Sequence, residues 1–558
     1  MDKITILPGD FLKNAGIVGL WYLLEESDAE LDSVYGLTDD KQGLWLEREF
    51  VKNADWTALY FEAFVKRYGS LTVYRAALDK IGAILEKAEH TEWKKSDYKE
   101  DLKFINDKLL SNSYRSGFEN IRQNIENPEV YELLKTSKLK ESMEAEALCA
   151  RLRQLQKFLK QPLCEETFSM KSIVYNYINR FWDGKSFLLR ANAAKDMKTM
   201  FDADFSEPLR KYASASHEKA KEMCIDCSGK IDAKEKVSIA FMKDQADDLT
   251  RKRSAFWNCK VDAWLCPVCA FVYSLVPLGF TLVGRTFVFI NMNRSVKDLL
   301  DANPFHGKLV RDSEQDEAEK YSSWIARTID LLLQEKGREL GNIQVIARGL
   351  GENDRYTFDV IAKDILKLLN DKNIKQDLDK LSQYPYIKIG KDYWNIHDNV
   401  ILNILRYQNQ YEIINKLLKM ALESDGNLFK AAFVYDIQLR TNLLSKSDGL
   451  KIGGKLMNRY GVREEGYELR RALLGAKGTS DDACIRGTIY QLLNALSVGN
   501  VEHFMEVIMR VYCSTRLQVP NVFIEFLKDR DTFVEYGYAF LLGLQGSHYE
   551  KKEEKINE

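Results

Sequence analysis

The sequence predicts a multidomain α+β protein with a cysteine-clipped central insertion and an all-α C-terminal helical bundle. Three observations lead to this fold class. The chain has 558 residues, several times the roughly 150 that one hydrophobic core usually organises. Two Cys-x-x-Cys pairs interrupt its middle, and after about residue 400 apolar residues recur mainly at helical spacing.

The predicted domain boundaries follow changes in residue pattern along the chain. They delimit a mainly helical α+β domain at 1–220, a cysteine-containing subdomain at 221–300, an α+β region at 301–400 and the helical bundle at 401–558. In the first domain, leucines at helical spacing predict an amphipathic helix near Met143–Lys160. In the second, the β-branched and aromatic run Thr286–Ile290 predicts a strand.

The third and fourth regions differ in periodicity. In the third, predicted helices at Ile329–Leu333 and Ile361–Leu369 alternate with predicted strands at Ile343–Ala347 and Tyr386–Ile389. In the fourth, apolar residues three and four positions apart predict successive helices, which is typical of a helical bundle.

The charge balance excludes attraction to nucleic acid through the overall field of the protein. Lys and Arg number 81 against 83 Asp and Glu, which gives a formal net charge of −2. Any contact with nucleic acid must therefore come from local basic patches. The N-terminus lacks the basic and apolar regions of a secretory signal, so a cytoplasmic protein is expected.

The uncharged run at 268–284 is about as long as the shortest membrane spans. It starts inside a cysteine pair and contains Pro277 and Gly279, which favours two buried strands joined by a turn at these residues. A single membrane span is the alternative.

The cysteine pairs predict one metal site. Cys224 and Cys227 form the first pair, and Cys266 and Cys269 form the second. Two residues between ligands allow a tight turn to present both thiolates to one metal, and two such turns complete a tetrahedral sulfur site typical of structural zinc. Residues 228–265 between the pairs exceed the roughly 15 to 20 of a compact zinc ribbon. The zinc ion would therefore clip an inserted segment in place, without an open position to activate water.

Other interpretations of the cysteines stay open. Disulfides are disfavoured in a cytosolic chain, and a redox pair is disfavoured because neither pair is expected to open a helix in a βαβ unit. An iron–sulfur or other metal site and chance spacing are further alternatives. Cys259 lies between the pairs and is a substitute ligand candidate.

Three segments carry a local excess of basic residues. The first contains Arg251, Lys252, Arg253 and Lys260 near Phe256, Trp257 and Trp264. Such a segment can neutralise phosphates and stack on exposed bases; a solvated basic turn beside core tryptophans is the alternative. The second, at 179–198, includes Lys185 and Arg190. The third, at 440–477, has the largest excess, and its candidate backbone-contacting residues are Arg440, Lys451, Lys455, Arg459, Arg463, Arg470 and Arg471. A solvated helix face is the alternative there.

No catalytic motif is complete. Segments at 179–186 and 449–456 resemble phosphate-binding loops but lack a required glycine or hydroxyl residue. His397-Asp398 resembles a dipeptide of metal-dependent nucleases, but the six histidines are dispersed. The sequence therefore predicts a protein that is not an enzyme.

The order of features resembles a known family. It combines the segment Phe11–Leu20, the paired cysteines with Trp264-Leu-Cys-Pro-Val-Cys269, and an apolar run into Phe287–Asn291. Together these resemble the large subunit of the type I-B CRISPR effector complex (Cascade), in its variant named for paired CXXC motifs. The resemblance spans most of the chain, and the cysteine pairs are its specific part.

The resemblance implies a prokaryotic, cytoplasmic, non-catalytic subunit that recognises the protospacer-adjacent motif in double-stranded target DNA. Base pairing with the crRNA would then read the target sequence. The implied partners are the crRNA-containing Cascade with its backbone and small subunits, the target DNA, and the separate helicase-nuclease that the subunit helps recruit. The resemblance also implies that the subunit stabilises the R-loop. It implies no membrane partner.

The residues that read the motif do not follow from the resemblance. Lys13, Asn14, Lys185 and Asn192 are candidates, because Lys contacts phosphates or guanine edges and Asn pairs with adenine. Helix capping by Asn14 and solvation of the lysines are the alternatives. The helical C-terminal region resembles a small subunit, and Met420 is a candidate internal start for its separate production.

Two other functions compete with this prediction. A metal-dependent nuclease would need a carboxylate and histidine cluster. A zinc-organised scaffold for protein interactions needs no nucleic acid, and the near-zero net charge favours it.

Overall fold

The computed structural model describes most of the chain, and its residues fall into two compact units. The described residues are 2–29, 31, 33–90, 98–193, 195–243, 263–283, 286–304, 343–349, 355–389, 392–423, 425–446, 452–479, 481–515 and 517–547. The first unit comprises Met1–Asp312 and Gln344–Asp359, and the second comprises Ser313–Ile343 and Val360–Glu558. The finer four-part division remains a prediction.

The first unit begins with a small sheet and a buried helix. Its elements are strand β1 (Lys3–Ile6), helix α1 (Phe11–Glu25), and strands β2 (Tyr35–Leu37) and β3 (Leu44–Glu47). The strands form an antiparallel sheet in the order β1-β3-β2. The Asp10 side chain caps α1 by accepting a hydrogen bond from the Lys13 backbone N–H at 2.8 Å.

A run of helices follows. These are α2 (Arg48–Asn53), α3 (Trp56–Tyr68), α4 (Val73–His90), α5 (Lys99–Leu109), α6 (Asn112–Ile121), α7 (Glu129–Thr136), α8 (Ala145–Leu159), α9 (Pro162–Ile173), α10 (Asn179–Phe181), α11 (Met197–Phe201) and α12 (Glu207–Ser214). A π-helical segment, Val174–Ile178, joins α9 to α10, and a second, Asp202–Ser206, joins α11 to α12. Helix α8 confirms the helix predicted near Met143–Lys160.

The cysteine-containing part of the unit is mixed. Its elements are β4 (Glu222–Met223), β5 (Lys230–Ile231), β6 (Val237–Ser238), β7 (Trp264–Leu265), α13 (Pro267–Ser274), α14 (Val276–Gly279), β8 (Thr281–Val283), β9 (Thr286–Asn291), α15 (Val296–Ala302), β10 (Ile343–Gly349) and β11 (Tyr356–Ile361). The last four strands form a sheet in the order β11-β10-β9-β8. Strands β9 and β10 confirm the two strands predicted from the sequence in this part of the chain.

The uncharged run at 268–284 is mainly helical, so the prediction of two buried strands was wrong. Its first half forms α13 and α14, and only Thr281–Val283 is a strand. Cys266 is the N-cap of α13 and Pro267 occupies its first turn, where the fixed φ of proline favours helix. None of the described helices has both the length and the apolar character that a membrane span requires.

One hydrophobic core joins the N-terminal helix to the cysteine segment. This core contains buried residues of α1, α3, α13 and β9 and of the π-helical segment Val174–Ile178. Cys224, Cys266 and Cys269 belong to the same core. A second core is built within residues 74–168 by helices α4 to α9. The cysteine segment therefore packs as part of the first unit's main core.

Helix α1 approaches the segment after the second cysteine pair closely enough to require glycine. A Cβ on Gly16 would lie 2.3 Å from the Val272 carbonyl oxygen, and a Cβ on Gly279 would lie 1.9 Å from that of Ala15. Such distances are shorter than any van der Waals contact, so both positions exclude larger residues. The helix crossing thus places the N-terminal helix directly beside the cysteines.

The second unit is dominated by helices. Its elements are α16 (Lys363–Leu369), α17 (Lys372–Gln383), β12 (Tyr386–Ile389), β13 (Asp392–Asn395), α18 (Ile396–Leu405), α19 (Tyr411–Ala421), α20 (Leu428–Lys446), α21 (Ile452–Lys477), α22 (Ala483–Val498), α23 (Val501–Thr515) and α24 (Arg530–Leu544). The predicted C-terminal helices are confirmed, as are the strand at Tyr386–Ile389 and the helix near Ile361–Leu369. The helix predicted at Ile329–Leu333 lies outside the described residues.

Two helices of this unit also cross at glycines. A Cβ on Gly543 of α24 would lie 1.8 Å from the Arg463 carbonyl oxygen of α21, and one on Gly466 would lie 2.1 Å from that of Phe540. Helix α19 packs into the same bundle: its Asn415 side chain donates hydrogen bonds to the Leu493 carbonyl at 3.2 Å and to the Tyr538 hydroxyl at 3.0 Å.

Candidate metal centre

The first cysteine pair lies in the turn between β4 and β5. The Cys224 backbone N–H donates to the Gly229 carbonyl at 2.8 Å, and the Ser228 N–H donates to the Cys224 carbonyl at 3.0 Å. Ser228 has a φ of 57°, a left-handed conformation that closes tight turns. This turn holds Cys227 beside Cys224.

The second pair opens helix α13. The Cys266 side chain accepts a hydrogen bond from the Cys269 backbone N–H at 3.4 Å, so the first cysteine of the pair caps the helix that contains the second. This helix is not part of a βαβ unit, because β7 before it and β8 after it belong to different sheets and both pair antiparallel with their neighbours. The Cys-Pro sequence at positions 266 and 267 was the available signal, because proline is favoured in the first helical turn.

The fold brings all four sulfur atoms together. The four Sγ atoms lie within 4.8 Å of one another, and those of Cys227 and Cys266 are 3.6 Å apart. A tetrahedral site with metal–sulfur bonds of about 2.3 Å separates its sulfur atoms by about 3.8 Å. The donor set and its dimensions thus fit one metal ion bound by four thiolates.

Backbone N–H groups surround the sulfur atoms. The Cys266 N–H donates to the Cys224 Sγ at 3.2 Å, and the Gly229 N–H donates to the Cys227 Sγ at 3.4 Å. Hydrogen bonds among the four cysteine side chains lower the pKa of Cys224 and raise those of Cys266 and Cys269. The backbone donors favour the thiolate, which is the form that binds metal.

The site is closed. Cys224, Cys266 and Cys269 are buried, and only Cys227 is exposed. A shell of four cysteines leaves no coordination position for water or substrate. Cys259 lies outside the described residues. Cys149 and Cys164 are buried in the first unit's second core, and burial raises the pKa of Cys164 to about 12.

A buried ion pair next to the cluster was missed by the sequence analysis. Asp226 lies between the two cysteines of the first pair, and its Oδ1 is 3.1 Å from the Lys13 Nζ. Their side chains are 4% and 9% exposed for Lys13 and Asp226, respectively. Burial acts to lower the pKa of Lys13, but Asp226, Cys269 and Cys227 together outweigh it and raise the pKa. The acidic residue inside the first Cys-x-x-Cys was a signal, but its partner in α1 could not be read from spacing.

Comparison with known proteins gives one match. Residues 217–281 match the model of a family described as CRISPR-associated protein (Cas_CXXC_CXXC), and this segment contains both cysteine pairs. The match supports a CRISPR-associated protein. No curated protein and no solved structure was found to match the chain.

Lys13 and Asn14, two candidate motif readers, form contacts within the protein. Lys13 forms the ion pair with Asp226, and Asn14 is fully buried. The Asn14 side chain accepts from the Gly9 N–H at 2.9 Å and donates to the Asn291 Oδ1 at 2.8 Å. Because these polar groups are satisfied within the protein, neither side chain faces the solvent as a DNA contact would. Asn14 is also not the N-cap of α1, which is Asp10.

The second basic segment contains a loop whose backbone accepts hydrogen bonds from neighbouring side chains. The Ala193 carbonyl accepts from the Lys171 Nζ at 2.8 Å and from the Ser116 hydroxyl. Desolvation lowers the pKa of buried Lys171 to about 8. Lys185 is partly exposed with its Nζ above the Phe205 and Phe241 rings, and desolvation lowers its pKa.

Asn192 and Arg190 are the other two candidates of this segment. The Asn192 side chain donates to the Ser186 carbonyl at 3.0 Å. The Arg190 side chain lies outside the described residues. The first basic cluster, with Arg251, Lys252, Arg253 and Lys260, lies wholly outside them.

The described side chains of the third basic segment do not form one exposed stripe. Arg463 is 5% exposed and lies 3.7 Å from the Asp436 carboxylate. Burial raises the pKa of Asp436 to about 6. Arg470 is ion-paired with Asp482, whereas Arg471 is 66% exposed beside Glu468.

Arg440 is the remaining candidate of that segment whose side chain the structure describes. Arg440 lies 3.8 Å from Asp371 with 19% of its side chain exposed. Lys451 and the side chains of Lys455 and Arg459 lie outside the described residues.

The His-Asp dipeptide has a structural role. The Asp398 side chain is buried and accepts from the Asn395 Nδ2 at 2.8 Å, within the N-terminal cap of α18. Among the described residues, one further group of potential metal ligands exists besides the cysteines, namely His217, Asp232 and Glu235. In this group the His217 Nε2 already lies within hydrogen-bonding distance of the Glu235 Oε2, at 2.9 Å.

Proposed function

We propose that this protein is a non-catalytic, zinc-stabilised large subunit of a crRNA-guided type I-B Cascade surveillance complex. It would recognise the protospacer-adjacent motif in double-stranded target DNA, stabilise the R-loop and help recruit the separate helicase-nuclease in antiviral defence. The observation that carries the proposal is the match of residues 217–281 to a CRISPR-associated family, on a segment whose four cysteines make a closed metal-binding cluster.

Zinc is the metal that this donor set favours. Four thiolates in tetrahedral geometry select zinc or iron–sulfur centres, and zinc has no redox chemistry to disturb a structural site. The ion would be bound by Cys224, Cys227, Cys266 and Cys269 and would fix the turn of the first pair to the start of α13. The protein's own residues supply the rest of the scaffold through the core around α1.

Lys13 and Asn14 would not read the motif, because their side chains are buried. Among the described candidates, Lys185 and Asn192 are partly exposed and Arg471 is exposed. Arg251, Lys252, Arg253 and Lys260 remain candidates from sequence alone. Phosphate contacts of these residues would make DNA binding depend on salt concentration.

Copurification from the native host tests the proposed function. The tagged full-length chain should capture crRNA with repeat and spacer sequences, together with repeated backbone subunits. The reconstituted complex should bind a target duplex with the correct flanking motif more tightly than the same duplex with a scrambled motif. Capture of protein partners without any RNA would contradict the proposal and support the alternative of a zinc-organised protein scaffold.

The nuclease alternative has its own test. The isolated chain is incubated with duplex and single-stranded DNA in the presence of Mg²⁺ or Mn²⁺. Cleavage that is lost in a His217→Ala or Glu235→Ala variant would contradict the non-catalytic assignment, because these residues belong to the second group of potential ligands.

Separate production of the bundle from Met420 has a structural cost. Met420 lies at the end of α19, and the product would lose the buried Ile413, Ile414, Leu417 and Leu418 of that helix. We therefore expect a product beginning at Met420 to be less stable than one that retains residues from 411 onwards. Mass spectrometry of the C-terminal peptides from native cells tests whether such a product exists.

A further inference from the structure

A second group of side chains that can bind a metal ion lies at the open end of the β4–β5 hairpin. The turn of this hairpin carries the first cysteine pair. At the opposite end, His217 precedes β4 and Asp232 directly follows β5. One donor atom from each of His217, Asp232 and Glu235 lies within 4.8 Å of the others. These three residues and the four cysteines are separate groups at the two ends of one hairpin.

Short-range hydrogen bonds bring the three side chains together. The Glu235 N–H donates to the Asp232 carbonyl at 3.0 Å, which closes a turn after β5. The Glu235 Oε2 accepts from the Asp232 N–H at 3.3 Å and lies 2.9 Å from the His217 Nε2. The His217 and Glu235 side chains are only 12% and 19% exposed, whereas Asp232 is exposed. The group is therefore held by the protein and open to solvent on the side of Asp232.

The orientation of the imidazole ring is fixed by an aromatic neighbour. Tyr212 of α12 stacks on the His217 ring, with the ring centres 4.1 Å apart and the planes 28° from parallel. The Tyr212 hydroxyl in turn donates to the Lys230 carbonyl of β5 at 3.0 Å. Contacts that orient a histidine ring are a regular feature of metal sites, because the ring nitrogen must point at the ion. Here the stack leaves Nε2 directed at Glu235.

The charges of the group favour a divalent cation. Two carboxylates this close repel each other unless a positive charge lies between them. Within the part of the chain that the structure describes, neither Asp232 nor Glu235 pairs with a lysine or arginine. Lys236, the next residue along the chain, pairs instead with Glu222 at 2.8 Å. A divalent ion would balance both negative charges.

The dimensions of the group suit such an ion. Two donors bound at about 2.1 Å from one metal are about 3.0 Å apart at a right angle and about 3.4 Å apart at the tetrahedral angle. The 2.9 Å between the His217 Nε2 and the Glu235 Oε2 fits the first arrangement. Rotation of the exposed Asp232 side chain would bring the third donor to a similar distance. Only a small adjustment therefore separates the group from a coordinated geometry.

We propose that His217, Asp232 and Glu235 bind a second divalent transition-metal ion, with zinc as the favoured metal. Magnesium and calcium prefer oxygen ligands alone, whereas zinc takes imidazole and carboxylate together and imposes no geometry of its own. The ion would tie His217 to the turn after β5 and close the open end of the hairpin that presents Cys224 and Cys227. Metal binding here is independent of the proposed function, because neither RNA nor DNA takes part in it.

Equilibrium dialysis of the full-length chain against increasing free Zn²⁺ tests the proposal, with bound zinc measured by mass spectrometry of the element. The wild type should bind zinc in two steps, a tight step at the four thiolates and a weaker step at the nitrogen and oxygen donors. His217→Ala should remove the second step and leave the first. Asp232→Asn and Glu235→Gln should each weaken the second step by more than about tenfold, because loss of an outer-shell partner alone costs about 10 to 100-fold.

The chain offers a matched control for the histidine. The His503 Nδ1 lies 3.3 Å from the Glu506 Oε2, but this pair belongs to no group of three potential ligands among the described residues. His503→Ala should therefore retain both steps. Tyr212→Phe keeps the ring that stacks on His217 and should also retain both, whereas Tyr212→Leu should weaken the second step alone.

Four results would overturn the proposal. The first is a wild type that binds zinc in a single step, since the group would then be only a hydrogen-bonded pair with a neighbouring carboxylate. The second is an unchanged second step in His217→Ala. The third is a second step that adds thiolate absorption when Co²⁺ replaces Zn²⁺, because the ligands would then be cysteines. If His217→Ala disrupts folding and abolishes both steps, an unchanged second step in Asp232→Asn is the fourth, because the exposed Asp232 can be altered without disturbing the core.

Discussion

Each unit contains a close helix crossing at glycine residues, but different polar groups lie beside the two crossings. In the first, α1 crosses the segment after the second cysteine pair at Gly16 and Gly279; in the second, α21 and α24 cross at Gly466 and Gly543. Beside the first crossing lies the cysteine cluster with the Lys13–Asp226 pair. Beside the second lies the looser Arg463–Asp436 pair. The comparison teaches that similar glycine crossings can be accompanied by different polar groups, namely four potential metal ligands and a short buried ion pair in the first unit, and a longer ion pair alone in the second.

Loss of the proposed metal ion should destabilise the first unit and leave the second unchanged. This is the largest difference that we expect between the two units. Structural zinc contributes about 10 to 16 kcal/mol in small zinc sites, more than the stability of many domains. Cys224→Ser, or treatment with a chelator, should therefore release zinc and open residues 263–283 and α1. Hydrogen exchange followed by mass spectrometry measures this, with peptides of residues 483–544 expected to stay protected.

Cys513→Ser is the control for that experiment, because Cys513 is an exposed cysteine of the bundle. It should change neither zinc content nor exchange. A zinc-free Cys224→Ser protein with normal protection in α13 would contradict the structural role of the cluster.

The next largest effect should come from breaking the buried ion pair. Lys13→Met leaves the Asp226 carboxylate buried without its partner, which costs about 3 to 5 kcal/mol. Chemical denaturation with exchange in first-unit peptides measures the loss. The added change Asp226→Asn should recover part of it, because no buried charge then remains.

Lys52→Met provides the matched control for the ion pair. Lys52 pairs with Glu49 at the same distance of 3.1 Å, but their side chains are 30% and 67% exposed. An exposed pair contributes less than about 1 kcal/mol. Equal destabilisation by Lys13→Met and Lys52→Met would mean that burial of the first pair has no consequence.

The glycine crossings should respond alike in both units. Gly16→Ala and Gly543→Ala should each destabilise their own unit by about 2 to 3 kcal/mol, because the new methyl group overlaps a backbone carbonyl. Gly461→Ala is the control, since a Cβ there meets nothing within 4 Å. It should stabilise α21 by up to about 1 kcal/mol through helix propensity. Neutral behaviour of the two crossing variants would show that the helices can move apart freely.

A smaller effect is expected from pH. The folded-state pKa of Lys171 is lowered to about 8 from 10.5, so between these values the unfolded chain binds more protons than the folded one. Stability should therefore rise with pH, by about 2 kcal/mol between pH 7 and pH 10. The difference in unfolding free energy between wild type and Lys171→Met, measured across this range, isolates the effect. A difference independent of pH would contradict it.

Local patterns determined a large part of the fold. The helical periodicity of residues 145–159 and of the C-terminal helices, and the short apolar runs of the buried strands at 286–291 and 343–349, are set by which side chains must face a core. The paired cysteines likewise carried their own geometry, because a two-residue spacing suits one metal ion regardless of the surrounding fold. The run at 268–284 was misassigned because a short apolar segment suits a buried helix and a buried strand equally.

Only the tertiary structure decided which charged residues are exposed and can contact nucleic acid. Lys13 and Arg463 looked like surface contacts for nucleic acid, yet each is buried against a carboxylate distant in sequence, Asp226 or Asp436. Spacing along the chain records local geometry, whereas the burial of one side chain depends on which distant segment packs over it. The sequence by itself therefore determined most of the elements and the candidate metal ligands, and the packing of those elements decided the surfaces.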